Sequence, residues 1–324
     1  MKIAIVGFGS IGKRHFKNIT SIFDDEVIIC SKRKDVPKNV KCCKTISDCL
    51  DEKPEAVFIT NETDLHISSA LKFAEAGCHL FIEKPLSNSL KDVKKLVNIV
   101  HEKKLISQMG CNLRFNPCLI NIKKLLTDKK IGRIISFQSE NGSFLPDWHL
   151  DEDYSQRYTA KKNRGGSVVL TSIHEIDYLY WFFGNISELI SNTGKFSDLK
   201  ITSDDYSSIF LKFNSGVVGE IHLDYFQNPP TRTCKIIGTK GTIFWNNKTN
   251  SVKLFEITSK KLTTILKLEK FNINKMYLDE IIHFKNCIKL HKSSINNIEQ
   301  GMYTLKIALS TLKSSNLKKM VKMN

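Results

Sequence analysis

The sequence predicts two architectures in one chain: an α/β domain on a doubly wound parallel sheet, then an α+β domain with an open-faced, mainly antiparallel sheet. Three observations predict this. Up to Gly110, short β-rich apolar runs alternate with helix-period stretches at the spacing of right-handed βαβ units. From Asn112 onward the pattern becomes a series of alternating segments separated by turn signals. The length, 324 residues, accommodates two cores at roughly 150 residues each.

The first strand is Lys2 to Val6, and Gly7-Phe8-Gly9-Ser10-Ile11-Gly12 follows at once, opening a helix over Lys13 to Ile22. Glycine at the first position permits the tight turn, at the second lets backbone approach a pyrophosphate, and at the third allows close helix–strand packing. The helix N-terminus, at Ser10 and Ile11, supplies amide donors to phosphate. The spacing predicts a dinucleotide site in a Rossmann-type domain. The second strand, Glu26 to Cys30, ends where an NAD site presents an acid to the ribose 2′-hydroxyl. Here stand Ser31, Lys32 and Arg33; with no carboxylate to repel a 2′-phosphate and cations to hold one, NADP is favoured over NAD.

A short helix over Ile46 to Leu50 precedes a buried strand, Ala56 to Thr60, which delivers Asn61 and Thr63 to the same sheet edge. His66 opens a helix running from Ile67 to Ala76. The next strand, Cys78 to Ile82, leads into Glu83-Lys84-Pro85. A lysine at the carboxyl end of a buried strand, where open α/β sheets bind ligands, is a candidate for chemistry. Ser89 to Asp92 reads as a capping signal for a helix whose core face is Val93, Leu96, Val97 and Val100. Leu105 to Gly110 is a further strand.

The first domain is drawn over 1–117, the second over 118–300, and a C-terminal helix over 301–324 that packs back on the first. In the second, a helix over Cys118 to Leu126 is followed by strands at Ile134 to Glu140, Glu188 to Phe196, Tyr206 to Phe213, Val217 to Tyr225, Arg232 to Ile237, Thr242 to Trp245 and Val252 to Ile257. Asn214-Ser215-Gly216 and Thr239-Lys240-Gly241 supply turns. The densest polar and aromatic grouping lies between the first two strands: Trp148, His149, Asp153, Tyr154, Arg157, Tyr158, Lys161 and Arg164. After Gly165-Gly166 a single helix is predicted through His174 to Phe183, stopped by Gly184, with Thr171 and His174 on one face.

The totals exclude several function classes. Nine cysteines with no Cys-x-x-Cys pair argue against a disulfide framework or a zinc site, so reduced thiols and no metal are expected. Lys plus Arg number 49 against 33 Asp plus Glu, a formal charge of +16, yet the cations are spread over helical faces without a base-reading motif. Nucleic acid is therefore not the expected partner; the field would instead attract anionic small molecules. No apolar run approaches the roughly 20 residues that span a bilayer, and the chain is expected to be cytosolic, with no membrane partner.

In their order, the glycine motif, Glu83-Lys84-Pro85, Asn112-Leu113-Arg114-Phe115 and the stretch from Gly165 to Asp177 resemble the glucose-fructose oxidoreductase / inositol dehydrogenase / rhizopine-catabolism (Gfo/Idh/MocA) family of NAD(P)-dependent sugar dehydrogenases. The resemblance extends over nearly the whole chain. It implies cofactor contacts from Gly7, Gly9, Ser10, Ile11, Gly12, Ser31, Lys32, Arg33, Asn61, His66, Glu83, Lys84 and Arg114, a cis Lys84–Pro85 peptide, and Lys84 and His174 as the catalytic pair, one from each domain. Tyr154, Arg157, Tyr158, Lys161 and Thr171, with Lys84 and His174, are the expected carbohydrate contacts. Many members carry an Asp four residues before the histidine; Leu170 stands there, so Thr171, Glu175 or the substrate must orient His174. His174-Glu175-Ile176-Asp177 is similar to members from cell-surface and nonulosonic-sugar biosynthesis, which implies a sugar, sugar phosphate or nucleotide sugar as substrate. The alternative expectation is a dinucleotide- and sugar-binding regulator on the same fold. A homodimer or homotetramer is expected, formed through the open sheet face.

Overall fold

The computed structural model describes residues 1–148 and 150–323, so His149 of the polar grouping lies outside the described residues. The chain divides into two compact units, Met1–Asn112 with Ile273–Leu305, and Leu113–Asn272 with Lys306–Asn324.

The first unit is laid out as β1 (Lys2–Val6), α1 (Ser10–Ile22), β2 (Glu26–Cys30), β3 (Lys41–Cys43), α2 (Ile46–Asp51), β4 (Ala56–Ile59), α3 (His66–Glu75), β5 (His79–Glu83), α4 (Val93–Glu102) and β6 (Ser107–Gly110). Its six strands run in the order β3-β2-β1-β4-β5-β6, and every pairing is parallel. That order reverses direction between β1 and β4, the switch point outside which open sheets bind ligands. Ala56 to Ile59 and Leu80 to Ile82 are all within 1% of full burial, as expected of strands covered on both faces. The expected capping signal before α4 fails: Asp92 takes a left-handed φ of 58° and its side chain caps nothing.

The second unit begins with α5 (Pro117–Thr127), capped by Asn116, whose side-chain oxygen accepts from the Cys118 and Leu119 amides. There follow β7 (Ile134–Gly142), α6 (Val168–Thr171), α7 (His174–Phe183), β8 (Ile186–Gly194), β9 (Tyr206–Phe213), β10 (Val218–Asp224), β11 (Thr231–Gly238), β12 (Gly241–Asn246), β13 (Ser251–Glu256) and β14 (Lys261–Lys267). The chain then runs through α8 (Asn274–Leu290) and the start of α9 (Ile298–Leu317), which belong to the first unit, and the end of α9 and β15 (Val321–Lys322) belong to the second. The nine-stranded sheet runs β14-β13-β12-β11-β7-β10-β9-β8-β15 and is antiparallel apart from the β7–β10 pair. One face is filled by Phe137, Tyr178, Phe183, Phe213 and Trp245. Tyr178 stands edge-on to Trp245 at 5.8 Å and shares a 2.6 Å hydrogen bond with Ser139 of β7. The other face leaves Ile190, Phe210, Val218, Phe244 and Leu262 exposed.

Three differences from the sequence reading have physical causes. The single helix expected after Gly166 is two, α6 and α7, because Ser172 leaves helical geometry at ψ 28° and its hydroxyl accepts from the Asn141 side chain of β7. Helix α8 belongs to the first unit, since Phe284 buries its ring against Phe58 and Phe81. The last helix divides: Ile298 donates its amide to Ser107 in the first unit, whereas Ser314 and Ser315 bind the backbone of β8 in the second.

Candidate functional site

Gly7 has a φ of +91°, and a Cβ there would fall 2.7 Å from the Asn61 amide nitrogen, so only glycine lets the β1 and β4 ends meet. Thr60 closes the same junction by donating to the Val6 and Gly7 carbonyls at 2.9 Å each. A Cβ built on Gly9 would meet nothing within 4 Å, and α1 starts at Ser10 with Gly9 before it and no side-chain cap. Free amide donors, open space that a Cβ would occupy, and a buried Asn61 Oδ1 lacking a hydrogen-bond partner together fit a dinucleotide pyrophosphate and its ribose.

His66 is buried at the opening of α3, with Nδ1 2.9 Å from the Pro85 carbonyl oxygen and Nε2 3.1 Å from that of Asn61. Burial lowers its pKa, partly countered by those carbonyls. The ring therefore braces the loops after β4 and β5. Lys84–Pro85 is cis, as the resemblance implied. Glu83 ends β5 with Oε1 2.7 Å from His15 Nε2 and Oε2 accepting the Lys84 amide at 3.2 Å. Lys84 itself is half-buried at the carboxyl edge of the sheet.

After β2, Ser31 accepts the Arg33 amide, and the Arg33 guanidinium donates twice to Asp35 at 2.9 Å. Lys13 of α1 reaches the same carboxylate at 2.6 Å. These two cations hold the exposed Asp35 carboxyl well below the usual carboxylate range. Of the cations expected to hold a 2′-phosphate, Arg33 is thus already engaged by an acid that the sequence reading did not count.

In the second unit, Ser167 caps α6 and donates to Asp204 at 2.7 Å, while the buried Tyr225 hydroxyl donates to the Ser167 carbonyl. Leu170 and Thr171 are buried on α6, and His174 is half-buried at the start of α7. Glu175, one of the groups expected to orient His174, pairs with Arg232 at 2.8 Å. Arg114, expected among the cofactor contacts, is 1% exposed and forms a two-pronged pair with Asp177 of α7, at 2.9 and 2.8 Å. In the polar insertion, Tyr154 accepts the Lys200 amide, Arg157 pairs with Glu152, and Lys161 donates to Gln156 at 3.0 Å. Tyr158 is half-buried beside them.

Sequence reasoning missed His15, Asp35 and Glu280. His15 follows Gly12 by three residues on the sheet-facing side of α1, and Glu280 interrupts the apolar face Met276, Ile281, Phe284 and Cys287 of α8. An acid among such residues at helical spacing is the signal that could have found it. All nine cysteines are free, and among the described residues no helix is long and apolar enough to cross a membrane.

Comparison with known proteins matches residues 1–111 to the oxidoreductase family with an NAD-binding Rossmann fold and residues 119–244 to the GFO/IDH/MocA C-terminal domain. The chain is 23% identical to scyllo-inositol 2-dehydrogenase (NAD(+)) of Bacillus subtilis, over 97% of this chain and 94% of that one. It is 25% identical to myo-inositol 2-dehydrogenase of Thermotoga maritima, over 100% and 98%. The solved structure of a levoglucosan dehydrogenase in complex with NADH superposes with a TM-score of 0.89 at 18% identity, covering 100% of this chain and 99% of that one. With both halves matched in order and the strand order of the first sheet that of a dinucleotide-binding domain, the chain is an oxidoreductase of the GFO/IDH/MocA family.

Proposed function

We propose that this chain transfers a hydride between a nicotinamide cofactor and a hydroxyl-bearing carbon of a sugar or polyol. The observation that carries this is the end of β5, where the Glu83 carboxylate, held by His15, fixes the Lys84 amide at the edge of the sheet beside the glycine-loop switch point. Nicotinamide, when bound, supplies the hydride acceptor or donor at C4. Lys84 hydrogen-bonds the substrate oxygen and stabilises its developing negative charge. His174 accepts the hydroxyl proton during oxidation and returns it during reduction. Lys84 belongs to the first unit and His174 to the second.

The relatives named above act on inositols and levoglucosan, which supports a polyhydroxylated ring as substrate. The formal charge of +16 supports an anionic form of it, a sugar phosphate or nucleotide sugar of the kind surface-polysaccharide biosynthesis uses. Engagement of Arg33 and Lys13 by Asp35 supports NAD rather than NADP. The exposed apolar row on the open sheet face supports a homodimer or homotetramer, and free buried thiols support a cytosolic setting.

The test is a rate screen at the nicotinamide absorbance, with NAD and NADP in parallel, of polyols, sugars, sugar phosphates and nucleotide sugars. Turnover that falls by about 10² or more in Lys84→Ala and in His174→Ala is the expected result. Cofactor binding without turnover of any member of the panel would leave the sugar-binding regulator in its place.

A further inference from the structure

Beneath the end of β5, three titratable side chains from three elements are sealed in an apolar box. His15 of α1 and Glu280 of α8 are 0% exposed, and Glu83 of β5 is 7% exposed. Their donor atoms all lie within 4.8 Å of one another. The walls are aromatic: the His15 ring lies 5.3 Å from that of Phe58, 5.0 Å from Phe81 and 6.3 Å from Tyr277. Space for the Glu83 carboxylate is kept by Gly110, paired with it across β5 and β6, where a Cβ would stand 2.8 Å from Oε1.

The polar accounting inside this box does not close. His15 Nε2 and Glu83 Oε1 share a 2.7 Å hydrogen bond, but His15 Nδ1 and both Glu280 oxygens, all buried, have no partner among the described residues. An ionised carboxylate without a partner in such a place costs several kcal/mol, and two carboxylates this close cannot both be charged cheaply. A zinc ion is a poor solution, because two ligands of one tetrahedral zinc stand about 3.3 Å apart, farther than the His15–Glu83 contact.

Protons solve it. With two exchangeable protons, two carboxyls and one imidazole are neutral overall; with one proton they carry a single negative charge. Burial and the nearby Glu83 charge push Glu280 well above the usual carboxylate range, so its protonated form extends toward neutral pH. The other groups facing the box are Tyr277, whose own pKa burial raises, Arg14 stacked on that ring at 4.5 Å, and the neutral, buried His66. Arg14 acts on Tyr277, whose pKa its charge lowers against the effect of burial, and Lys84, a further cation, follows Glu83 directly and donates its amide to Oε2.

We propose that His15, Glu83 and Glu280 form a buried proton-holding site, with Glu280 carrying the exchangeable proton, whose charge is linked to that of the nicotinamide. This rests on the dehydrogenase reading above and on Glu83 being among the cofactor contacts that the family resemblance implies. The oxidised ring is cationic and favours the one-proton, negative cluster; the reduced ring is neutral and favours the two-proton, neutral one. Reduction of the cofactor then draws one proton from solvent onto Glu280, and oxidation returns it. The substrate's hydroxyl proton follows its separate route through His174.

The experiment measures the dissociation constants of NAD+ and NADH on the full chain without substrate, from about pH 5.5 to about pH 9. The linkage makes the NAD+ to NADH affinity ratio rise with pH, by up to about tenfold per pH unit where the cluster titrates. Glu280→Gln, a neutral isostere, flattens that rise. Titration calorimetry of the unaltered protein in buffers of different ionisation heat gives a reading that needs no variant: NADH binding takes up more protons than NAD+ binding. A pH-independent ratio together with equal proton uptake overturns the linkage and leaves the dehydrogenase intact. Failure to bind either dinucleotide overturns both.

Discussion

The ring of His66 spans the carbonyl oxygens of Pro85 and Asn61, at 2.9 and 3.1 Å, so one buried side chain ties together the loops that end β4 and β5. A neutral imidazole can donate to only one of the two, and burial lowers the pKa, keeping the ring neutral in the fold. The unfolded chain protonates this residue at about pH 6.5 while the native one does not. Stability from this group is therefore fully present above that value and is lost as pH falls below it toward the lower native pKa. Thermal melts at decreasing pH should show that loss, and His66→Gln, which keeps a donor without titrating, should reduce it. His66→Ala strands the carbonyl and should cost about 1–3 kcal/mol in denaturant unfolding.

Asp35 sits between Lys13 and Arg33, and all three are exposed or nearly so. Replacing Asp35 with Asn releases two cations near the position of the ribose. The ratio of kcat/KM for NADP to that for NAD should rise several-fold, more at low salt than at high salt, since exposed charges are screened within about 10 Å at 0.1 M. An unchanged ratio would mean that neither cation reaches a 2′-phosphate.

Much of the first unit could be read from the chain because its signals are local. A strand of buried β-branched residues followed by three glycines at fixed spacing needs no distant partner to be recognised, and β1, β2, β4 and β5 lie where the apolar runs put them. Strands β3 and β14 escaped notice for opposite reasons. Lys41–Cys43 is only three residues long, and Lys261–Lys267 is an edge strand with almost no burial to imprint a pattern. The site was harder. Lys84 is marked by strand, lysine and proline in succession, but Glu280 stands 197 positions beyond Glu83, and only the fold makes them neighbours. The α6–α7 break was equally hidden, because it depends on a hydrogen bond from Asn141 to Ser172.

Helix α8 completes the first unit's core from far along the chain. Phe284 meets Phe58 and Phe81 edge-on at 5.8 Å each, and those two rings stack on each other at 4.5 Å. Phe284→Ala should cost about 3–5 kcal/mol, while Phe284→Leu should recover most of it. Because the same helix carries Glu280, NADH affinity in the folded fraction of Phe284→Ala should weaken as well; unchanged affinity would show that the helix can shift without disturbing the end of β5.

Arg114 and Asp177 form a bidentate pair whose members are 1% exposed each, and Asp177 lies one turn beyond His174 on α7. Two charges so placed are costly to bury, and their attraction repays the cost only while both are present. Asp177→Asn should destabilise the second unit by about 3–5 kcal/mol, because it leaves the guanidinium buried without its counter-charge. Asp177→Leu with Arg114→Met should cost less than either charged-to-neutral single change, the comparison being made by denaturant unfolding. Kinetics separate positioning from stability: if the pair sets the orientation of α7, and with it His174, the double variant should keep its cofactor affinity while kcat falls. A double variant with normal kcat would confine the pair to holding the fold.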